Sequence, residues 1–407
     1  MKMDSLLMLA INNKIIYFFS DVINKALPFI SIIYIANYFK PSDFGELEIF
    51  VSLYVLYGFL VGFGFDSWML AKFYKEEGEQ FYKTMSAFFC CISVLSFFIF
   101  LICYPVFGKY SYVIMIGLSN ALLNIYTTML RLNNRYSLAG CILIINSMLN
   151  FLLLIFLFEF YQATLDVRIG SLIVVSFLTI TILSYLFYVQ FYKRPQKDDF
   201  LKLDLVFYFC FPLCLSLIAS WTKGNIDKVY IKTLVSTDEL GFYAVALQIA
   251  SVLNVVCITI NRVLQVSLFK DMSEGRSIVN KIAFVSITLF FASLLYYVII
   301  NLSFSIFFND SYNKSLDYIP YLLFSFWLGS CLMLMNNVVV FFEKTKYILY
   351  QVCFCAAFQL VLSYFLVTKY LVYGAIISNL ITSVIAFSIV FFVVKHLFMK
   401  FKVSCNV

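Results

Sequence analysis

Long apolar runs, most of them about 20 residues or more, recur along the whole chain and are separated by short polar segments. A helix needs about 20 apolar residues to cross the hydrocarbon core of a bilayer. The runs are continuous, whereas strands of a membrane barrel alternate apolar and polar residues over about 10 positions. Twelve helical spans are therefore predicted, over residues 15–38, 44–70, 84–106, 112–130, 138–158, 170–192, 205–231, 240–269, 282–302, 319–342, 348–367 and 374–398.

Composition supports an all-α integral membrane protein. Of the 407 residues, 63% are hydrophobic and only 13% are charged, whereas a soluble domain carries about 25% charged residues. The first apolar run is interrupted by Asp21, Asn24 and Lys25. It does not read as a cleavable secretory signal, and we expect it to remain as the first span.

The basic residues predict the orientation of the chain. With the N-terminus placed in the cytoplasm, 18 of the 29 Lys and Arg residues fall in cytoplasmic segments and 6 fall in external ones. Positive charge collects on the cytoplasmic side of membrane proteins, so both termini are predicted to be cytoplasmic. The net charge of +7 is split among loops and forms no clustered stripe, which argues against a nucleic-acid partner.

The chain is predicted to divide into two six-helix halves, residues 1–200 and 201–407. The segment 193–204 is the most polar internal stretch and separates the two sets of six spans. A faint repeat crosses this boundary, because Pro41-Ser42-Asp43-Phe44-Gly45 and Thr237-Asp238-Glu239-Leu240-Gly241 each follow the first span of their half. Halves of this kind face each other across a central cavity near the membrane midplane.

Ionisable residues inside the spans are the candidate functional residues, because each costs about 2.5–3.5 kcal/mol at a helix centre. In the first span Asp21 and Lys25 are four residues apart and share a face. In the seventh span Lys223 and Asp227 have the same spacing, and Lys228 points about 100° away. The remaining candidates are Asp66 in the second span and Arg262 on a polar face of the eighth. A structural role is an equally good interpretation for two pairs, Asp21 with Lys25 and Asp227 with Lys223 or Lys228. Arg262 is also compatible with a role as a cytoplasmic anchor.

The charge balance inside the spans indicates the cargo. The cations Lys14, Lys25, Lys223, Lys228 and Arg262 outnumber the acids Asp21, Asp66 and Asp227 by two, although Lys14 is more simply a residue that reaches the cytoplasmic surface. Spare positive charge suits an anion such as a lipid diphosphate, to which Lys and Arg donate charge-assisted hydrogen bonds. An exporter of cationic drugs is expected to show the opposite balance.

Catalytic and metal-binding patterns are nearly missing from the sequence. The only histidine, His396, lies at the cytoplasmic end of the last span, so triads and metal sites built on histidine are excluded. The predicted external loops are about a dozen residues at most, shorter than most functional loops with their own structure. We therefore predict no catalytic residues, no metal and no cofactor, and we disfavour an O-antigen polymerase or a membrane glycosyltransferase.

Two segments around the seventh and eighth spans carry a family resemblance. They are Asn225-Ile226-Asp227-Lys228-Val229-Tyr230 and Thr237-Asp238-Glu239-Leu240-Gly241-Phe242-Tyr243-Ala244. With the twelve spans and the chain length, they resemble the polysaccharide-transport branch of the MATE-like (MOP) flippase superfamily, whose best-known members are Wzx-type O-antigen flippases. The resemblance implies two six-helix halves around a central cavity.

The resemblance also implies a function. It points to translocation of an undecaprenyl-diphosphate-linked oligosaccharide across the bacterial inner membrane by alternating access, with or without ion coupling. Carried onto this sequence, it makes Lys25, Lys223, Lys228 and Arg262 headgroup-binding candidates, with Asp21, Asp66 and Asp227 as charge partners or ion-coupling sites. Expected partners are membrane lipid and the polymerase and chain-length proteins of the same pathway.

The sequence differs from part of the superfamily in its cations, and one alternative function remains. The cations in this sequence are mostly Lys, unlike the Arg-rich cavities of the peptidoglycan-precursor branch, which disfavours peptidoglycan precursors as cargo. An ion-coupled small-molecule or drug exporter of the same fold is the alternative. Neighbouring genes would separate the two, since glycosyltransferases and nucleotide-sugar enzymes favour the flippase.

Overall fold

The computed structural model describes residue 20 and residues 22–73, 78–274 and 276–404, without the side chains of residues 198, 201, 262, 263, 266 and 398–404. These residues form helices joined by short turns, with no β-strand among them. In chain order the helices are α1 Val22–Ala36, α2 Pro41–Gly62, α3 Phe65–Lys72, α4 Gly78–Phe107, α5 Tyr112–Leu132, α6 Tyr136–Phe160, α7 Leu165–Gln190, α8 Lys197–Leu201, α9 Leu203–Leu234, α10 Thr237–Ser273, α11 Val279–Phe307, α12 Ile319–Phe341 and α13 Lys346–Ser404.

The prediction of an all-α protein with twelve membrane-spanning helices is confirmed. Within the described ranges, nine helical stretches are long and apolar enough to cross a membrane, and Val22–Ala36 is a shorter apolar helix. Two of the nine, Gly78–Leu132 and Lys346–Leu397, hold 55 and 52 residues, enough for two crossings each at about 1.5 Å per residue. Counted separately, these crossings together with α1 make twelve.

The second predicted span is wrong in one respect, because it is broken before its end. Residues 44–70 were expected as one helix, but α2 stops at Gly62 and the short helix α3 begins at Phe65. Between them Phe63 and Gly64 have φ angles of 50° and 70°. This left-handed backbone cannot continue a right-handed helix and is comfortable only for glycine. Gly64 therefore allows the turn between α2 and α3.

The last two predicted spans form one long helical stretch with a sharp break. In α13, Leu371 has φ 55° and ψ −133°, far from helical values. Close by, a Cβ atom at Gly374 would overlap the Leu366 carbonyl. The chain turns at Leu371, and only glycine fits at position 374 against the preceding helix. The two segments 346–370 and 372–404 therefore cross the membrane separately.

By internal contacts the chain separates into two compact units. The first contains the described residues up to Phe39 together with Leu47–Ile218, and the second contains Lys40–Glu46 and Ala219–Val407. The boundary between Phe39 and Lys40 falls in the turn before α2, and the other two fall inside α2 and α9. The two halves at 1–200 and 201–407 stay a prediction.

Helix α5 is the centre of the first unit. Of its 21 residues, all are buried except Tyr112, Asn120, Asn124 and Arg131. Aromatic rings from α3, α4 and α7 pack around it, with Phe65 stacked on Phe88 at 3.8 Å and Phe89 on Phe187 at 4.2 Å between ring centroids. Burying such rings contributes most of the packing energy in cores of this kind.

The polar segment that follows α7 is also held in place within the first unit. Asp199 of α8 is buried, and its carboxyl accepts hydrogen bonds from the Gln196 backbone at 2.8 Å and the Gln80 side chain at 2.7 Å. These two hydrogen bonds hold the pKa of Asp199 below its usual value. The segment 193–204 is therefore packed rather than a free linker.

In the second unit, sequence signals at the start of α10 determine the local structure. Ser236 caps the helix by accepting a hydrogen bond from the Glu239 backbone at 3.1 Å, as a Ser-x-x-Glu pattern predicts. The Glu239 carboxylate also receives hydrogen bonds from Lys314 and, at 3.0 Å, from Tyr318. The start of α10 is thereby fastened to the segment that leads into α12.

The two copies of the faint repeat pack directly against each other in the second unit. A Cβ atom at Gly45 would overlap the Thr237 carbonyl oxygen, and one at Gly241 would overlap the Pro41 carbonyl oxygen. Each glycine thus lies against the first residue of the other copy. We call this contact, formed by 41–45 and 237–241, the glycine clasp. Backbones approach this closely only where side chains are missing.

Candidate functional site

Two of the seven predicted site residues lie outside what the structure describes. Asp21 is outside the described residues, as is Lys14. Arg262 lies in helix α10, but its side chain is not described. The other five, Lys25, Asp66, Lys223, Asp227 and Lys228, are placed.

Asp227 and Lys228 of α9 are buried in the second unit. Asp227 is fully buried and Lys228 is 6% exposed. The Asp227 carboxyl accepts a hydrogen bond from the Tyr243 hydroxyl of α10 and another from the Lys228 backbone N–H at 2.9 Å. The Lys228 ammonium donates to the Asn225 side-chain oxygen at 3.0 Å. We call these four residues, which form a buried polar group, the Asp227 cluster.

Lys223 lies one helical turn before Asp227 on the same helix and is half-buried. Within the described part of the chain it makes no hydrogen bond and no ion pair, and Asp227 makes no ion pair either. The predicted pairing of Lys223 with Asp227 is therefore absent from this arrangement, although the two residues share a face. An intramembrane ammonium without a fixed partner is available to an anionic ligand.

Lys25 and Asp66 are both exposed and belong to the first unit. Lys25 is on α1, and Asp66 is in the first turn of α3. Asp66 lines a small cavity of 100 Å³ together with Asn124 of α5 and Gly58 and Gly62 of α2. The glycines of α2 allow close packing, because Gly58 lies against the backbone of Gly117.

A larger polar cavity of 420 Å³ lies inside the first unit, between α1, α2, α5, α6 and α7. Among the described residues, its polar lining consists mainly of side-chain amides and hydroxyls, with a single charged residue, Arg168. We call it the amide cavity; its polar lining residues are Asn24, Ser31, Tyr54, Ser119, Asn120, Asn124, Asn146, Ser147, Asn150, Arg168, Ser176 and Thr179. It shares Asn124 with the smaller cavity that reaches Asp66.

Sequence reasoning did not identify this cavity as a site. In the sequence Asn120 and Asn124 are four residues apart, and Arg168 falls in a predicted external segment. The spacing of Asn146 and Asn150 by four residues on the fifth span was an available signal. Helix periodicity predicts which residues share one face of a helix. A cavity formed by five helices can be predicted only when the packing of those helices is known.

Comparisons with solved structures give the class of the fold. An inward-facing multidrug resistance MATE transporter of the MOP superfamily matches with a TM-score of 0.68 and 12% identity, covering 92% of this chain and 95% of that one. A lipid II flippase, MurJ, in an inward closed conformation matches with a TM-score of 0.74 and 12% identity, covering 94% and 87%. The chain is a multi-pass membrane protein that shares the fold of these two proteins, and the predicted fold is confirmed.

The family follows from the sequence comparison. Residues 10–265 match the family described as polysaccharide biosynthesis protein, and the chain belongs to that family. A putative O-antigen transporter of Shigella flexneri is 27% identical over 232 residues, which is 54% of this chain and 54% of that protein. An uncharacterized membrane protein of Haemophilus influenzae is 25% identical over 272 residues, which is 65% of this chain and 66% of that protein.

These comparisons set the level at which function is established. The matched stretches span 66% and 54% of the two curated relatives' own lengths. Each of the named relatives and fold neighbours with a described activity is a transporter or a flippase, and none is described as an enzyme.

Proposed function

We propose that the protein is a flippase for oligosaccharide repeat units linked to undecaprenyl diphosphate, destined for O-antigen or another surface polysaccharide. The observation that carries this proposal is membership of the polysaccharide biosynthesis family over residues 10–265. The similarity to a putative O-antigen transporter supports it. The protein is a transporter rather than an enzyme, and it acts in the bacterial inner membrane with both termini in the cytoplasm.

The charges of the second unit support an anionic cargo. Lys223 is half-buried and has neither a hydrogen bond nor an ion pair among the described residues, and Lys228 is buried beside it. The nearby acid, Asp227, is occupied by the Tyr243 hydroxyl and a backbone N–H. An occupied acid and an available cation suit a diphosphate better than an organic cation. This favours the flippase over a drug exporter of the same fold.

The proposed mechanism is alternating access. In this scheme Lys25, Lys223, Lys228 and Arg262 bind the diphosphate headgroup while the prenyl chain stays in lipid. Asp21, Asp66 and Asp227 serve as charge partners or as sites of ion coupling. The polymerase and chain-length proteins of the same pathway take up the cargo on the far side of the membrane.

Complementation of a gene deletion in the native bacterium tests the cationic site. We expect Lys25→Ala and Arg262→Ala each to lower surface polysaccharide at matched protein levels in the membrane, because a buried diphosphate requires a compensating cation. Lys25→Arg should keep part of the activity, since the charge remains while the geometry changes. Lys344→Ala is the matched control, because Lys344 is exposed in the turn between α12 and α13.

Two results would contradict the proposal. If Lys25→Ala, Lys223→Ala and Arg262→Ala all leave polysaccharide display at the level of the Lys344→Ala control, the headgroup is not bound by these cations. If surface polysaccharide is unaffected by deletion of the gene itself, the proposed cargo is wrong.

A further inference from the structure

The amide cavity differs from the predicted cationic site in position and in chemistry. Its described lining lies within the first unit, and none of the three headgroup candidates with described side chains, Lys25, Lys223 and Lys228, lines it. Along α7 it extends from Arg168 to Thr179, a rise of about 16 Å in a helix. Its volume of 420 Å³ is within the range of about 300–1,000 Å³ typical of small-molecule sites.

Two amides of α5 face this cavity with free hydrogen-bonding capacity. Asn120 and Asn124 are two of only four residues of α5 that are not buried, and both line the cavity. In the described part of the chain neither side chain makes a hydrogen bond. Each amide offers both donors and an acceptor. The hydroxyls of a ligand such as a sugar can bind both the amide donors and the amide acceptor, whereas a simple ion can bind only one of these two kinds of group.

Some of the other amides are fixed by the protein itself. The Asn24 side-chain oxygen accepts a hydrogen bond from Ser147, and that of Asn146 accepts one from Thr179 at 2.8 Å. The Asn150 amide donates to the Asn146 carbonyl at 3.0 Å. These contacts hold the amides in place, which prepares a polar wall before a ligand arrives.

Arg168 gives the described lining of the cavity its positive charge. Its Nη1 atom donates to Ser171 at 3.1 Å, while its Nε atom is buried without a hydrogen-bond partner. No Asp or Glu is among the lining residues that the structure describes, and the nearby Asp166 is paired with Lys109 at 2.6 Å. A guanidinium left with unused donors is suited to bidentate binding of a carboxylate.

We propose that the amide cavity binds an acidic sugar, with its carboxylate on Arg168 and its hydroxyls on Asn120 and Asn124. This inference rests on the proposed function, because it assigns a sugar class to the transported repeat unit. A sugar carboxylate and a free small carboxylate share the chemistry that Arg168 recognises. The amides distinguish them, since only the sugar has hydroxyls to contact α5.

Binding to the full-length protein, purified in detergent, tests the proposal. The probes are sodium D-glucuronate, D-glucose and sodium acetate, measured by calorimetry or by the shift in Tm. We expect glucuronate to bind roughly tenfold or more tightly than either of the others, because it alone uses both Arg168 and the amides. Arg168→Gln should weaken glucuronate binding by about tenfold or more, and Asn124→Ala should weaken it less while leaving acetate unchanged.

Arg194→Gln is the matched control, because Arg194 is exposed in the segment after α7 and lines no described cavity. It should bind glucuronate as the unaltered protein does. If Arg168→Gln cannot be purified, Arg168→Lys keeps the charge, and it should still bind glucuronate and acetate more weakly than the unaltered protein, since Lys lacks the planar pair of donors.

Several results would overturn the proposal. These are no glucuronate binding, equal binding of glucose or acetate, or unchanged glucuronate binding in Arg168→Gln or in both Arg168→Lys and Asn124→Ala. Failure of the acidic-sugar site is separable from failure of the proposed function. A protein that moves lipid-linked oligosaccharide without binding glucuronate refutes the acidic-sugar site alone, whereas one that binds glucuronate but moves no such lipid refutes the flippase.

Discussion

At the scale of single residues, the Asp227 cluster shows what the sequence could and could not provide. The block from Asn225 to Ala244 was singled out because an acid and a cation lie in apolar sequence. It suggested a pairing with Lys223 or Lys228, and the carboxyl of Asp227 accepts hydrogen bonds from the Tyr243 hydroxyl and from the Lys228 backbone N–H. Tyr243 lies 16 residues further on, and only the packing of α9 on α10 brings it close.

The hydrogen bond from Tyr243 to Asp227 should contribute measurably to stability. Tyr243→Phe leaves a fully buried carboxyl with one hydrogen bond fewer, which costs about 1–3 kcal/mol. We expect a lower Tm in detergent. Tyr208→Phe on α9 is the matched control, because Tyr208 is 86% exposed and its loss should leave the Tm unchanged. Equal Tm values for the two variants would show that the bond contributes nothing.

At the scale of helices and turns, the glycine clasp is the clearest structural consequence of the sequence repeat. The repeat predicted equivalent positions in two halves, and the structure places the two copies in direct contact. Periodicity and turn signals were sufficient to place most helix ends. They were not sufficient for the break at Phe63–Gly64, because a hydrophobic residue with positive φ is fixed by its surroundings rather than by its type.

Substitution at the clasp should be costly. A methyl group at Gly45 or Gly241 would overlap a backbone carbonyl oxygen, which cannot move independently of its helix. We expect Gly45→Ala and Gly241→Ala each to reduce the amount of folded protein in the membrane, measured by fluorescence-detected size exclusion. Gly329→Ala in α12 is the control, since no atom lies within 4 Å of the added methyl group. Normal yields of both clasp variants would contradict the close contact.

At the scale of the whole molecule, composition and the twelve apolar runs were sufficient to predict the membrane class and the helix count. The sequence resemblance gave the family, which the family match confirms, and a fold that the solved structures share. The amide cavity could not be predicted, because its lining comes from five helices whose relative rotation depends on packing. The predicted site residues of α9 could be identified because an ionisable side chain in the membrane has a high free-energy cost. That cost can be recognised at each sequence position by itself.

Reporter fusions test the orientation predicted from the basic residues. We expect fusions at Lys197 and Lys402 to report cytoplasm and a fusion at Asp310 to report periplasm, because 18 Lys and Arg residues lie on the first side and 6 on the second. Protein abundance for each fusion is the control. A periplasmic signal at Lys197 would require an odd number of crossings before α8.

Reconstitution into liposomes tests the central claim, flipping of a lipid-linked oligosaccharide, most directly. The purified protein is incorporated with a polyprenyl-diphosphate-linked oligosaccharide that carries a fluorescent label, and an impermeant quencher reports the fraction in the outer leaflet. A flippase exchanges the lipid between leaflets, so quenching should proceed well beyond the outer-leaflet fraction seen in protein-free liposomes. If quenching matches the protein-free liposomes while the same proteoliposomes transport a cationic dye, the protein is a drug exporter and not a flippase.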